Sequence, residues 1–136
     1  MKTRAGFVSN SSTSSFVLGV RGELTIDRLV KIFNVPEDNI FHSFARDVAQ
    51  VITENSEQFE TLDEYLVSQG FNAREIREVR HDPEEFTQEK RILANGMDLY
   101  IGSASNEGDS GAEYWLCDTD ITYESDDLVF YKEGGY

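Results

Sequence analysis

The run Phe16-Val17-Leu18-Gly19-Val20 restricts the fold of this chain more than any other stretch. It is short, uninterrupted by polar residues and β-prone, which predicts a strand buried on both faces and central in a sheet. Its partners must come from far along the sequence, because the residues that follow it change to a helical period. The expected fold class is therefore α+β: an antiparallel sheet made of this N-terminal strand and C-terminal strands, with three to five helices from about residue 25 to 90 packed on it.

The helical middle is well punctuated. Thr25 is placed to cap a helix carrying Ile26, Leu29, Val30 and Phe33, with Asp27 in the first turn where the helix dipole favours an acid, and Pro36 ends it. Pro36, with Glu37 and Asp38 beside it, then suits the first turn of a longer helix whose apolar stripe is Ile40, Phe41, Phe44, Val48, Val51 and Ile52. Thr61-Leu-Asp-Glu64 reads as a capping box, and Gly70-Phe71 as a left-handed stop with its hydrophobic contact. Asn72 opens a brief helix through Ile76 and Val79, and Asp82-Pro83-Glu84-Glu85 is a further start signal.

After Lys90 the period changes to two. Asn95-Gly96, lying between Arg91–Ala94 and Met97–Ile101, predicts a β-hairpin, since a type I′ turn needs positive φ at both central residues. Gly102 to Gly111 reads as a loop, followed by strands over Ala112–Cys117, Ile121–Tyr123 and Leu128–Lys132. Residues 1–15 form a Ser-rich lead and 133–136 a loose tail of a single domain spanning 1–136.

Charge narrows the function classes. A chain of 136 residues can bury roughly 65–70% of its unfolded surface without a staple, so the lone Cys117 reads as a small buried hydrophobe. The net charge of −14 disfavours nucleic acid or an anionic membrane as a direct ligand, since both are bound through cations. Residues 1–22 carry Lys2, Arg4 and Arg21 and no acid, whereas residues 98–136 carry ten acids against Lys132, so the two ends should attract and meet in the sheet. With no apolar run of membrane-spanning length and no apolar core of a signal peptide, the expected location is the cytoplasm.

Residue spacing argues against the catalytic and metal-binding patterns that the composition suggests. Ser12-Thr13-Ser14 invites comparison with ADP-ribosyltransferases, but Arg4 stands only eight residues before Ser12 and no Glu-x-Glu follows. A strand, not a helix N-terminus, follows the Ser run, which excludes a phosphate loop. His42 and His81 read as solvated or capping residues rather than general bases. An EF-hand loop starting at Asp118 needs Gly where Tyr123 stands and Glu where Val129 stands. No catalytic residue, cofactor or metal ligand is assigned.

The residual pattern is an interleaving of acids and aromatics. Glu107, Asp109, Glu113, Trp115, Asp118, Asp120, Tyr123, Glu124, Asp126 and Asp127 are the candidate partner-binding residues, with aromatics as anchors and acids steering a basic protein. The competing reading has the aromatics filling the core while the acids solvate turns and protect strand edges. The leading function is a non-enzymatic protein that binds a protein partner through this acidic, aromatic C-terminal half. The alternatives are an acidic nucleic-acid mimic that occupies a host protein's basic groove, and an enzyme of unknown class.

Finally, Gly6-Phe7-Val8-Ser9-Asn10 followed by Ser11-Ser12-Thr13-Ser14-Ser15-Phe16 resembles the N-terminal signature of small uncharacterised proteins from tailed bacteriophages and bacteria. The resemblance covers about residues 4–17, departs at Thr13, and implies a phage or phage-derived origin without assigning an activity. Replacing Ser11–Ser14 with Ala or Gly is expected to leave the fold intact, and replacing Phe16 and Leu18 with Asp to destroy it.

Overall fold

The computed structural model describes residues 13–108 and 110–132. Its strands are β1 (Thr13–Val20), β2 (Ser56–Phe59), β3 (Asp98–Ser105), β4 (Ile121–Glu124) and β5 (Leu128–Lys132). They form one five-stranded sheet in the order β2-β3-β1-β5-β4, with every pairing antiparallel. The apolar run after the Ser stretch is thus the middle strand. It pairs with β3 from Thr13↔Ser105 to Val20↔Asp98 and with β5 from Phe16↔Lys132 to Val20↔Leu128, which joins the two ends of the chain. The protein is α+β, with six α-helices among the described residues: α1 (Ile26–Val30), α2 (His42–Asn55), α3 (Leu62–Ser68), α4 (Ala73–His81), α5 (Thr87–Ala94) and α6 (Gly111–Asp118).

Two-sided burial of β1 follows from helices on both faces. Phe16, Leu18 and Val20 face a core completed by Leu29 of α1, Val48 and Ile52 of α2, and Leu116 of α6. Val17 faces the opposite core with Leu62 and Leu66 of α3, Ile76 and Val79 of α4, and Ile92 of α5. Each such side chain contributes roughly 1.5–3 kcal/mol by leaving water. Gly19 is required by close approach, because a Cβ there would lie 2.8 Å from Val129 and 2.9 Å from Ile92.

Local signals place most helix ends where the sequence puts them. Thr25 accepts from the Arg28 N–H and Thr61 from the Glu64 N–H, while Asn72 and Glu75 form a reciprocal capping box. At the end of α3 the Gly70 N–H donates to Val67 and the Phe71 N–H to Leu66, the paired bonds of a Schellman stop.

Five expectations are corrected. Arg91–Ala94 belongs to α5, and Asn95-Gly96 stops that helix instead of turning a hairpin. Asn95 has φ −85°, which excludes a type I′ turn, and only Gly96 is left-handed at φ 76°. The Gly96 and Met97 N–H groups donate to Leu93 and Ile92, so the positive φ serves a second Schellman stop. Ala112–Cys117 is helical, with Ala112, Leu116 and Cys117 buried on one face and Ser110 capping through the Glu113 N–H. Asp82-Pro83-Glu84-Glu85 makes a turn, because the Asp82 carboxylate takes the Glu84 N–H; α5 starts only after Phe86, whose left-handed backbone is held while its ring packs near Tyr65 and Phe71. The loop placed over Gly102–Gly111 is shorter, since β3 continues to Ser105. The helix expected from Pro36 begins at His42, because Asn39 diverts the Phe41 N–H to its own side chain at 2.8 Å.

Ser14 also departs from expectation. It is buried, and its hydroxyl donates to the Cys117 carbonyl at 2.9 Å. The remainder of the Ser run before Thr13, the phage-like signature before that residue and the tail 133–136 lie outside the described residues.

Candidate protein-docking surface

The late start of α2 changes what its aromatic residues do. Val48 and Ile52, with Ala45 and Ala49 between them, carry the buried face, while Ile40 is 84% exposed, Phe41 65% and Phe44 36%. These three lie within one turn of each other, on the two-turn segment 36–41 and the first turn of α2. Helix α6 packs beside α2 and adds Tyr114, 52% exposed, and Trp115, 37% exposed. Trp115 meets Phe44 edge-on at 5.8 Å and Phe33 at 5.9 Å. The result is an aromatic patch floored by half-buried Phe33 and open to solvent on the α1–α2–α6 side of the sheet.

Large apolar side chains gathered in this way are costly to leave in water, and a rim of polar residues around such a patch is the pattern of a binding surface. Glu37 and Asp38 precede Ile40, Asp47 follows Phe44 by one turn of α2, and Asp118 follows Trp115 by one turn of α6; all four are exposed. The α2 cation Arg46 is engaged at 2.6 Å by Asp27, whose carboxyl is held below its ordinary range by that hydrogen bond and charge.

The candidate residues chosen from the sequence divide into separate places. Trp115 and Asp118 belong to the patch on α6, not on a strand. Asp120 immediately precedes β4 and Glu124 ends it, on an edge strand, while Tyr123 is half-buried against the core. Glu113 turns inward, accepting the Ser105 N–H at 2.9 Å. Asp126 and Asp127 sit in the β4–β5 turn, where their carbonyls take Arg21 and Arg28. Glu107 lies past Ser105, at the opposite end of β1 from that turn, and Asp109 is outside the described residues. The described C-terminal acids are therefore spread over α6, the β4 edge, the β4–β5 turn and the far end of β3.

Periodicity in the sequence places Ile40, Phe41 and Phe44 in a buried stripe, whereas the structure exposes all three. Asn39 was the available signal: an Asx turn there ends helical continuity from Pro36 and swings the next two side chains outward.

Among the described residues, His42, His81 and Cys117 lie apart. His42 opens α2 and His81 ends α4, on opposite faces of the sheet, and Cys117 is fully buried beside Leu116. Among the described residues no group of three or more His, Cys, Asp or Glu is placed to hold a metal ion. A cleft of about 430 Å³ runs between the end of α5 and the β4–β5 turn, but its rim closes on itself: Tyr131 donates to Glu124 at 2.7 Å, Arg91 stands 3.9 Å from the same carboxylate, and Arg21 donates to the Asp126 carbonyl. A second cleft of about 510 Å³, lined by Val30, Val35, Pro36, Glu37 and His42 among others, adjoins the segment that carries Ile40 and Phe41. Among the described residues no helix is long and apolar enough to cross a membrane. No protein-family model matches the sequence, and no match was found among curated proteins or solved structures.

Proposed function

We propose that this protein is a non-enzymatic docking module that binds a protein partner through the aromatic patch of α2 and α6. The observation that carries the reading is the edge-to-face pair of Phe44 and Trp115, both partly open to solvent, with Ile40 and Phe41 exposed on the turn that leads into the same helix. Rigid aromatics supply contact area at small entropic cost, and such residues dominate the energy of protein interfaces. The docking surface expected in the C-terminal half thus moves: α6 supplies part of it and the start of α2 the rest. The phage or phage-derived origin implied by the N-terminal signature, and a cytoplasmic site of action, belong to the same proposal.

Mimicry of nucleic acid draws less support. Glu107 and the pair Asp126–Asp127 lie at opposite ends of an eight-residue strand, whereas a mimic needs carboxylates in one row at spacings near those of duplex phosphates. A photocrosslinking residue placed at Phe44, with one at the isolated exposed Val67 as control, tests the docking reading in a bacterial host lysate. A discrete adduct from position 44 alone is the expected result, and equal labelling from both positions counts against it.

A further inference from the structure

Building on that docking reading, we infer that the occupant of the patch is a basic amphipathic helix of the partner. Its sign follows from the rim. Glu37, Asp38, Asp47 and Asp118 border the aromatics, and Arg46 is already taken by Asp27. A second copy of this chain would bring the same acids face to face and add one net charge of −14 to another. A cationic segment instead gains from Glu37, Asp38, Asp47 and Asp118, while Lys31 and His42 line the adjoining cleft beside Arg46.

Its form follows from the shape of the aromatic surface. Ile40 and Phe41 are exposed on the turn that leads into α2, Phe44 follows in its first turn, and Trp115 stands beside Phe44 on the neighbouring helix. A compact patch of apolar side chains at the junction of two packed helices can take apolar anchors spaced by three and four residues on an incoming helix, with Lys and Arg on its flanks meeting the rim. An extended strand would need an open row of backbone groups, and the patch is made of side chains on α6, the first turn of α2 and the turn before it. The sheet's edge strands β2 and β4 are separate from it.

Trp115 is the only tryptophan in the chain and reports directly on this site. The experiment titrates the full-length protein with three synthetic helical peptides of one length: Leu at heptad a and d positions flanked by Lys, the same composition scrambled to break the stripe, and the striped peptide with Glu for every Lys. The striped Lys peptide is expected to shift Trp115 emission to the blue and bind at least about tenfold more tightly than the other two. Phe41→Ser with Phe44→Ser is expected to lose that preference at unchanged secondary structure by circular dichroism. Should the double variant unfold, Ile40→Ser, at a position already almost fully exposed, serves in its place. Equal binding of the scrambled peptide, or of the Glu peptide, overturns the inference. So does concentration-dependent dimerisation abolished by the same variant, which would make a second copy the occupant. If all three peptides fail while position 44 still crosslinks a discrete partner, the docking reading stands and the helix falls; if the crosslink fails as well, both fall.

Discussion

The hydroxyl of Ser14 donates to the carbonyl of Cys117 at 2.9 Å across 103 residues of sequence, and the buried ammonium of Lys132 donates to the same oxygen at 2.9 Å. Lys132 also takes the Thr119 carbonyl at 2.8 Å, so the negative end of α6 is closed by one residue from β1 and one from β5. The helix that carries Trp115 is fastened to the middle of the sheet by this arrangement.

Ser14→Ala should therefore cost about 1 kcal/mol, while Ser15→Ala, at a half-buried neighbouring position, stays within about 0.5 kcal/mol. Lys132→Met should cost about 1.5–3 kcal/mol, because bonds from a charged donor are the stronger ones. Urea denaturation of the three variants ranks them. Identical midpoints for Ser14→Ala and wild type would show that the Cys117 bond contributes nothing.

Packing at Gly19 leaves no room for a methyl group. Gly19→Ala is expected to destabilise by about 1–3 kcal/mol, and Phe16→Ala, which empties the opposite face, by about 3–5 kcal/mol. Thermal melts in which Gly19→Ala matches wild type would mean that Ile92 and Val129 retreat freely.

Gly96 tests the helix stop that replaces the expected hairpin. At φ 76° a side chain is strained, so Gly96→Ala should lose about 1–2 kcal/mol, whereas Gly108→Ala, with nothing within 4 Å of the added Cβ, should be neutral. Equal stability of the two variants would contradict the Schellman geometry.

Alkaline pH should unfold the protein more readily than its carboxylates suggest. Burial first, then the hydrogen bond to Glu124, raises the Tyr131 phenol above its ordinary range; burial and the Asp98 charge raise Tyr100. The neutral phenol is favoured in the fold, so this stability is complete below about pH 10 and disappears as pH rises through the folded values. Phenolate absorbance followed against unfolding should show Tyr100 and Tyr131 among the late-titrating tyrosines, and Tyr131→Phe should remove one late-titrating group. If all of the tyrosines titrate together in the folded state, the buried Tyr131–Glu124 contact is not formed.

Much of this architecture is legible in the sequence because its signals are local and strong. The run at Phe16–Val20 has no stable place except inside a sheet, and Thr25, Thr61, Asn72 and Gly70 carry their meaning in one or two bonds. The misreadings occur where one local signal serves two structures. Gly96 supplies the positive φ of a turn or of a helix stop, and only the lack of alternation in Arg91–Ala94 distinguishes them. Ser110-Gly-Ala-Glu113 has the spacing of a capping box, yet Tyr114 and Trp115 among acids imitate a strand. The patch was illegible for a related reason. Periodicity counts Ile40 and Phe41 into a buried face, while the Asx turn at Asn39 that expels them is a single side-chain bond.

The most direct measurement compares two variants, each carrying the photocrosslinking residue at position 44, in recovery of the crosslinked partner from host lysate: Ile40→Ser with Phe41→Ser, and Glu124→Gln with Asp126→Asn and Asp127→Asn. Loss of the partner with the first and retention with the second is the result expected if the aromatic patch of α2 and α6 is the docking surface. Retention with the first and loss with the second would place binding on the acidic β4–β5 turn and contradict it.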